Sequence, residues 1–367
     1  MRQVIAQVPR GYGKDVLAIA QNHQGTNLVQ IEAHDCDRDL DVVILHISNR
    51  QVENLLGQLE QLPHVKITLL PTGVIALHPP AEQAAEQVTN VELRSPVEVF
   101  LSGLQSVGSW KGFLGYAAVA GVVVWIGLYT NTVYLLTAAM LIAPFAGPAM
   151  NVAIATARGD FKLLGRSLLR YFVALGVTIA ITAILSLLFQ QGIATPQMLE
   201  RSQVSAVALL LPLAAGAAGA LNLVQSERSS LVSGAATGML VAASLAPPAG
   251  VVGMAIAIGR WDMVTGGVFL LLLQLCGINL SAALLFRLIG LTTSGARYNR
   301  GKKAVVPISL AVTVLALSGL LVWQFINSPN LQRASLAQRA NAAVQQVVDQ
   351  EPAAQLVESN VRFTRSN

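Results

Sequence analysis

The chain has 367 residues, of which 53% are apolar and 12% charged, with a net charge of +5. Soluble domains carry about 25% charged residues, so the composition excludes a wholly soluble protein. The positive balance is that of a membrane protein with basic cytoplasmic loops and calls for no nucleic-acid partner, and Cys36 and Cys276 lie too far apart for a disulfide framework or a metal-ligand spacing.

The first segment, MRQVIAQVPRGYGKD, has no apolar core of signal-peptide length, so residues 1–80 are expected in the cytoplasm. They predict strands at 3–8, 28–33, 42–47 and 65–70, with helices at 12–22 and 51–62. The second helix carries Val52, Leu55, Leu56 and Leu59 at helical spacing. The order βαββαβ is the ferredoxin-like split pattern. The acidic stretch HDCDRDLD (His34–Asp41) joins the middle strands. It reads as a solvated hairpin turn, with a metal site on Asp35 to Asp41 as the alternative.

Residues 81–111 read as a linker and an interfacial helix. His78–Gln87 is a polar spacer. Ser95, Pro96 and Glu98 form a capping box that opens a helix with Val97, Phe100, Leu101 and Leu104 on one stripe, ending at the interfacial pair Trp110-Lys111. The expectation is an elbow helix on the inner membrane surface; a linker packed on the soluble domain is the alternative.

Residues 112–290 form a six-span core, and 291–326 a basic loop and a seventh span. The spans fall at about 112–129, 133–157, 168–189, 204–224, 231–258, 263–289 and 305–326, each near the roughly 20 residues a bilayer requires. With the N-terminus inside, the loops carrying Arg158, Lys162, Arg166 and Arg170, and Arg287, Arg297, Arg300, Lys302 and Lys303, also fall inside, as the positive-inside rule demands. The polar tail 327–367 then lies outside, with a helix expected over Leu331–Val348. The chain reads as a multi-pass protein of the bacterial inner membrane.

Two spans carry prolines in their middle. Ala143-Pro144-Phe145-Ala146-Gly147 aligns with Ala246-Pro247-Pro248-Ala249-Gly250, and after slips of one or two residues Arg158 and Asp160 meet Arg260 and Asp262, and Gly176-Val177-Thr178 meets Gly277-Ile278-Asn279. Three spans separate the copies, so they cross in opposite directions: an inverted repeat of broken helices. In secondary transporters such breaks meet near the midplane and form the substrate site. The residues expected there are Pro144, Gly147, Pro148, Asn151, Thr178, Ser244, Pro247, Pro248, Gly250 and Asn279. Half-helix N-termini favour an anion or a polar carbonyl, while no Lys, Arg, Asp or Glu lies at mid-depth. Small-residue runs such as AAGAAGALNL predict close helix packing and a homo-oligomer. No nucleophile–base constellation or nucleotide loop is present, so the chain is read as no enzyme, without a cofactor, catalytic residue or metal.

The combination LIAPFAGPAMNVAIATARGD, SSLVSGAATGMLVAASLAPPAG and GINLSAALL resembles the bacterial conserved hydrophobic domain family labelled domain of unknown function 389, over roughly residues 95–290. The resemblance implies an integral membrane protein, often with a soluble N-terminal domain. It implies no reaction and no site residues. The expectation from the residues themselves is a secondary transporter or permease for a small polar or anionic solute or ion, regulated by the cytoplasmic domain. The alternative is a membrane-anchored sensor or scaffold, and a channel stays open.

Overall fold

The computed structural model describes residues 2–70, 93–105, 109–202, 209–225, 231–293 and 301–327. The polar spacer, the start of the fourth span, Arg297 and Arg300 of the basic loop, and the C-terminal tail lie outside these residues.

The N-terminal unit runs β1 (Arg2–Pro9), α1 (Gly13–Asn22), β2 (Thr26–His34), β3 (Asp39–Ile47), α2 (Val52–Leu59) and β4 (Lys66–Leu70). The sheet order is β2-β3-β1-β4, with every neighbouring pair antiparallel. Alternation dictates the core: Val4, Ala6 and Val8 of β1 face Val43, Leu45 and Ile47 of β3 under Val16, Ala20, Leu55 and Leu59 of the two helices. At the acidic stretch, Asp41 is buried and its Oδ2 accepts from the N–H groups of Gly11 and Gly13 at 2.9 and 3.0 Å. Gly11 has φ +98°, a conformation that favours glycine. Asp39 accepts from Arg10 and pairs with His34, and these bonds hold its carboxyl below the usual range, His34 contributing most. The Cys36 N–H and Lys66 lower Asp35 in the same way.

Helix α3 (Pro96–Gln105) joins this unit to the membrane core, and it packs on both. Val97 completes the soluble core, while Val99 and Phe100 belong to the membrane core. The Ser95 N–H donates to Glu98 Oε2 at 3.1 Å, one half of the expected capping box. The other half is absent, because Ser95 Oγ has no partner among the described residues. Glu98 is instead shared with Arg2 of β1, whose Nε lies 2.5 Å from Glu98 Oε1; both side chains are under 5% exposed. So α3 is wedged between the two units, and the picture of a helix lying flat on the lipid surface is corrected.

The membrane core comprises α4 (Trp110–Tyr129), α5 (Val133–Ile142), α6 (Ala146–Arg158), α7 (Phe161–Leu188), the short α8 (Pro196–Ser202), α9 (Leu210–Val224), α10 (Leu231–Ala257), α11 (Trp261–Leu288) and α12 (Val305–Asn327). Among the described residues five helices are long and apolar enough to cross a bilayer, and six if α5 and α6 count as one bent span; α9 is shorter.

Loop contacts sort the helix ends onto two faces. On one, the ends of α6, α9 and α11 gather with the soluble unit. There the Lys302 N–H donates to Gly159 O (3.2 Å), the Arg94 N–H donates to Val224 O (2.7 Å), and Arg158 stacks 4.3 Å over Phe100. Burial raises the Glu53 carboxyl on α2, with Arg158 pulling the opposite way. On the other face, the ends of α4, α7 and α10 gather. Thr195 Oγ1 donates to Leu128 O, the Gln197 N–H donates to Asn131 Oδ1, and Gly266 lies against Ser202 O.

Removing one partner of a buried ion pair strands the other charge, at about 3–5 kcal/mol. Glu98→Gln is therefore expected to lower the thermal midpoint of the detergent-solubilised protein markedly. Asp262→Asn, which breaks the exposed Arg260–Asp262 pair, should leave that midpoint unchanged. Equal midpoints for the two variants would show that the Arg2–Glu98 contact is not structural.

Candidate functional site at the proline-containing helices

The first proline pair breaks its span. Ala143 ends α5 in an extended conformation (φ −62°, ψ 123°), Pro144 and Phe145 turn, and α6 leaves at 54° to α5. Proline at 144 removes a helix donor and pushes Ala143 out of the α region. Pro148 then sits in the first turn of α6, where a missing N–H is harmless.

The second pair does not break its span. Helix α10 runs uninterrupted through Pro247 and Pro248. The expectation of two paired breaks is corrected to one. Both prolines and the residues around them, Ser244 through Gly250, are buried against other helices, and that enclosure carries the helix across the missing donors.

Hydrogen bonding also resets the register of the two copies to a uniform 100 residues. Helices α7 and α11 each have 28 residues and begin and end 100 apart. Before them, Gly159 (φ +69°) and Gly259 (φ +71°) close left-handed caps, with Asp160 N–H donating to Ala155 O and Arg260 N–H to Ala255 O at 3.0 and 2.9 Å. After them, the Gln191 N–H donates to Ser186 O and the Leu291 N–H to Phe286 O, both at 2.9 Å. In this register Pro148 meets Pro248, while Asp160, which N-caps α7 by accepting from Lys162 and Leu163, meets Arg260. The match of Asp160 with Asp262 was a two-residue slip.

Packing repeats too, with partners 100 residues apart on α7 and α11 and on α6 and α10, and 95 apart on α4 and α9. Gly121 of α4 faces the Thr178 carbonyl and Ile181 of α7, and Gly216 of α9 faces the Ile278 carbonyl and Ser281 of α11. Gly250 of α10 faces Val124 of α4, and Met150 of α6 faces Gly219 of α9. Helix α10 packs on α7 as α6 packs on α11.

The polar residues expected at a shared midplane site are dispersed. Thr178 Oγ1 donates to Ala117 O at 3.2 Å, and Ser244 Oγ to Val241 O at 2.7 Å. Asn151 lies beside Gly103 of α3, with Oδ1 buried and without a partner among the described residues. Asn279 Nδ2 donates to Thr313 Oγ1 of α12 at 2.9 Å. The Thr313 hydroxyl spends its proton on Ser309 O at 2.8 Å, which fixes the Asn279 amide with Oδ1 turned away, buried and unpartnered among the described residues. Gln274 Oε1, Thr156 Oγ1 and the Tyr171 hydroxyl are likewise buried without a partner there. Of these four, Asn279 is in the predicted site and Thr156 and Gln274 are among the mid-depth polar groups legible in the sequence; Tyr171 is not. Pro144 and Gly147 are half-buried, and Pro148, Pro247, Pro248 and Gly250 are buried. Among the described residues, a cleft in the soluble unit is lined by Gln7, Asp35, Arg38, His64 and Lys66, and another between α3, α9 and α11 by Arg94, Val99 and Phe286. Neither is lined by the prolines.

Residues 140–280 match the family model described as "Domain of unknown function (DUF389)". An uncharacterized protein of Methanocaldococcus jannaschii is 30% identical over 166 residues, which are 45% of this chain and 50% of that relative. The match thus spans half the length of the curated relative. No solved structure matches the chain.

A methyl group on Gly253 would collide with Thr182 Oγ1 and the Ile179 carbonyl of α7, whereas Gly115 faces open space. Overpacking of this kind costs about 1–3 kcal/mol. Gly253→Ala is expected to lower the thermal midpoint, and Gly115→Ala to leave it unchanged. A silent Gly253→Ala would mean that α10 and α7 are not in this contact.

Proposed function

We propose that the core around residues 140–280, which match the DUF389 family model, is a secondary transporter or permease for a small polar solute. The observation that carries it is the repeated unit with a period of 100 residues, with Pro148 and Pro248 at equivalent positions. The ends of α6 and α10 lie on opposite faces, α6 with the soluble unit and α10 with α8, which supports reading the unit as an inverted repeat. In transporters built this way the site lies where the copies meet, among interrupted helices. A polar solute is favoured over an anion by the buried amide oxygens of Asn279 and Gln274, which call for N–H, O–H or cationic groups. We read the face at the end of α6 as cytoplasmic, because the described basic residues at the ends of α6 and α11 and before α12, Arg158, Arg287 and Lys302, share it. The N-terminal βαββαβ unit, read as a ferredoxin-like domain, then lies on that side.

A membrane-anchored sensor is the second reading. It draws on the buried Arg2–Glu98 pair and the Glu53–Arg158 approach, which tie the soluble unit rigidly to α3 and α6.

The two readings separate in liposomes, by recording currents on a solid-supported membrane and isotope uptake against amino acids, sugars, small anions and sodium. A saturable signal that falls at least tenfold in Asn279→Ala and Asn151→Ala is expected of the permease. Silence from folded protein across the panel would overturn it in favour of the sensor.

A further inference from the structure

The two copies are alike in register, left-handed glycine caps and glycine contacts, and they differ in helix continuity at one place. Copy one is divided at Ala143–Phe145. The equivalent stretch of copy two, Ala243–Leu245, is continuous helix. Yet α10 is already weakened there. Pro247 and Pro248 have no N–H to offer, so the carbonyls of Ala243 and Ser244 have no donor four residues ahead. The Ser244 hydroxyl turns back to Val241 O at 2.7 Å, a bond that favours bending. The place where α10 lacks its hydrogen bonds is therefore the register position at which copy one comes apart.

The deficits are also matched. A straight α10 forgoes two backbone bonds, at Pro247 and Pro248. A straight α5–α6 would likewise forgo two, at Pro144 and Pro148. From this we infer that the break moves between the copies: a second state exists in which α5 and α6 form one continuous helix and α10 is divided at Ala243–Leu245. The symmetric contacts, Gly250 with Val124 and Met150 with Gly219, lie on the α6 side of the break and its equivalent, so they persist while the N-terminal halves exchange shapes. Because the copies are read as inverted, the exchange turns the opening from one face to the other. That is alternating access, and it selects a carrier over a channel. The inference rests on the inverted-repeat reading.

The test is thiol labelling with a water-soluble maleimide in a background carrying Cys36→Ser and Cys276→Ala. Ser244→Cys is buried when α10 is continuous and accessible when it is divided. Pro144→Ala removes the obstacle to a straight copy one and is expected to accelerate Ser244→Cys labelling at least tenfold. Pro247→Ala with Pro248→Ala restores both donors to α10 and is expected to slow it at least tenfold. Opposite effects of prolines in two separate helices are the signature of one shared equilibrium. No effect of Pro144→Ala on labelling, or a shift in the same direction by both changes, overturns the inference.

Spin labels at Tyr134→Cys and Phe161→Cys, both exposed, provide a second reading should a proline variant fail to fold. Straightening a 54° bend lengthens that span by about 4 Å at 1.5 Å per residue, so two distance populations are expected and a single one overturns the exchange. Neither measurement needs a solute. Transport without coupled labelling would leave a permease and remove the moving break; coupled labelling without transport would do the reverse.

Discussion

Everything in the membrane core depends on where backbone N–H and C=O groups find partners. In an apolar medium an unpaired peptide group costs several kcal/mol, so a chain is free to leave the helix only where protein encloses it. Four prolines test that constraint in two places. At Pro144 the chain yields: α5 stops, the backbone extends, and α6 starts afresh with Pro148 where no donor is needed. At Pro247 and Pro248 it holds. The helix passes through with two carbonyls lacking their usual helical donors, packed among α4, α7 and α11. The same chemistry thus has two outcomes within one molecule, and the surroundings decide between them.

Glycines set those surroundings. Gly121, Gly216, Gly219, Gly250 and Gly253 each sit where a methyl group would meet a neighbouring helix. Without a hydrophobic driving force between helices in lipid, close approach of backbones is the main source of attraction. Close packing also keeps the proline-bearing stretch of α10 out of contact with lipid tails.

Much of this was legible in sequence. The strand order of the soluble unit follows from period-two runs of β-branched residues, and six of the seven apolar stretches coincide with helices or a bent pair long enough to cross. Two things were not legible. The AP-x-A-G words drew the copies into a sliding register, because Ala and Gly recur by chance in membrane helices. The dependable signals were Gly159 and Gly259, whose left-handed caps are set by backbone geometry. The continuity of α10 was hidden for another reason: proline propensity is local, whereas the packing that overrides it comes from helices distant in sequence. The Arg2–Glu98 pair was equally invisible, since nothing local in either residue points to a partner in β1 or α3.

The wedge formed by α3 has a consequence for biosynthesis. Arg2 is made well before its counter-ion Glu98 and the core residue Val97, which leave the ribosome only just ahead of the first membrane helix. Until then the small sheet has a charged side chain and an open edge of its core with nothing to cover them. The last core contact and the buried ion pair of the unit therefore form only once the chain has been made as far as α3.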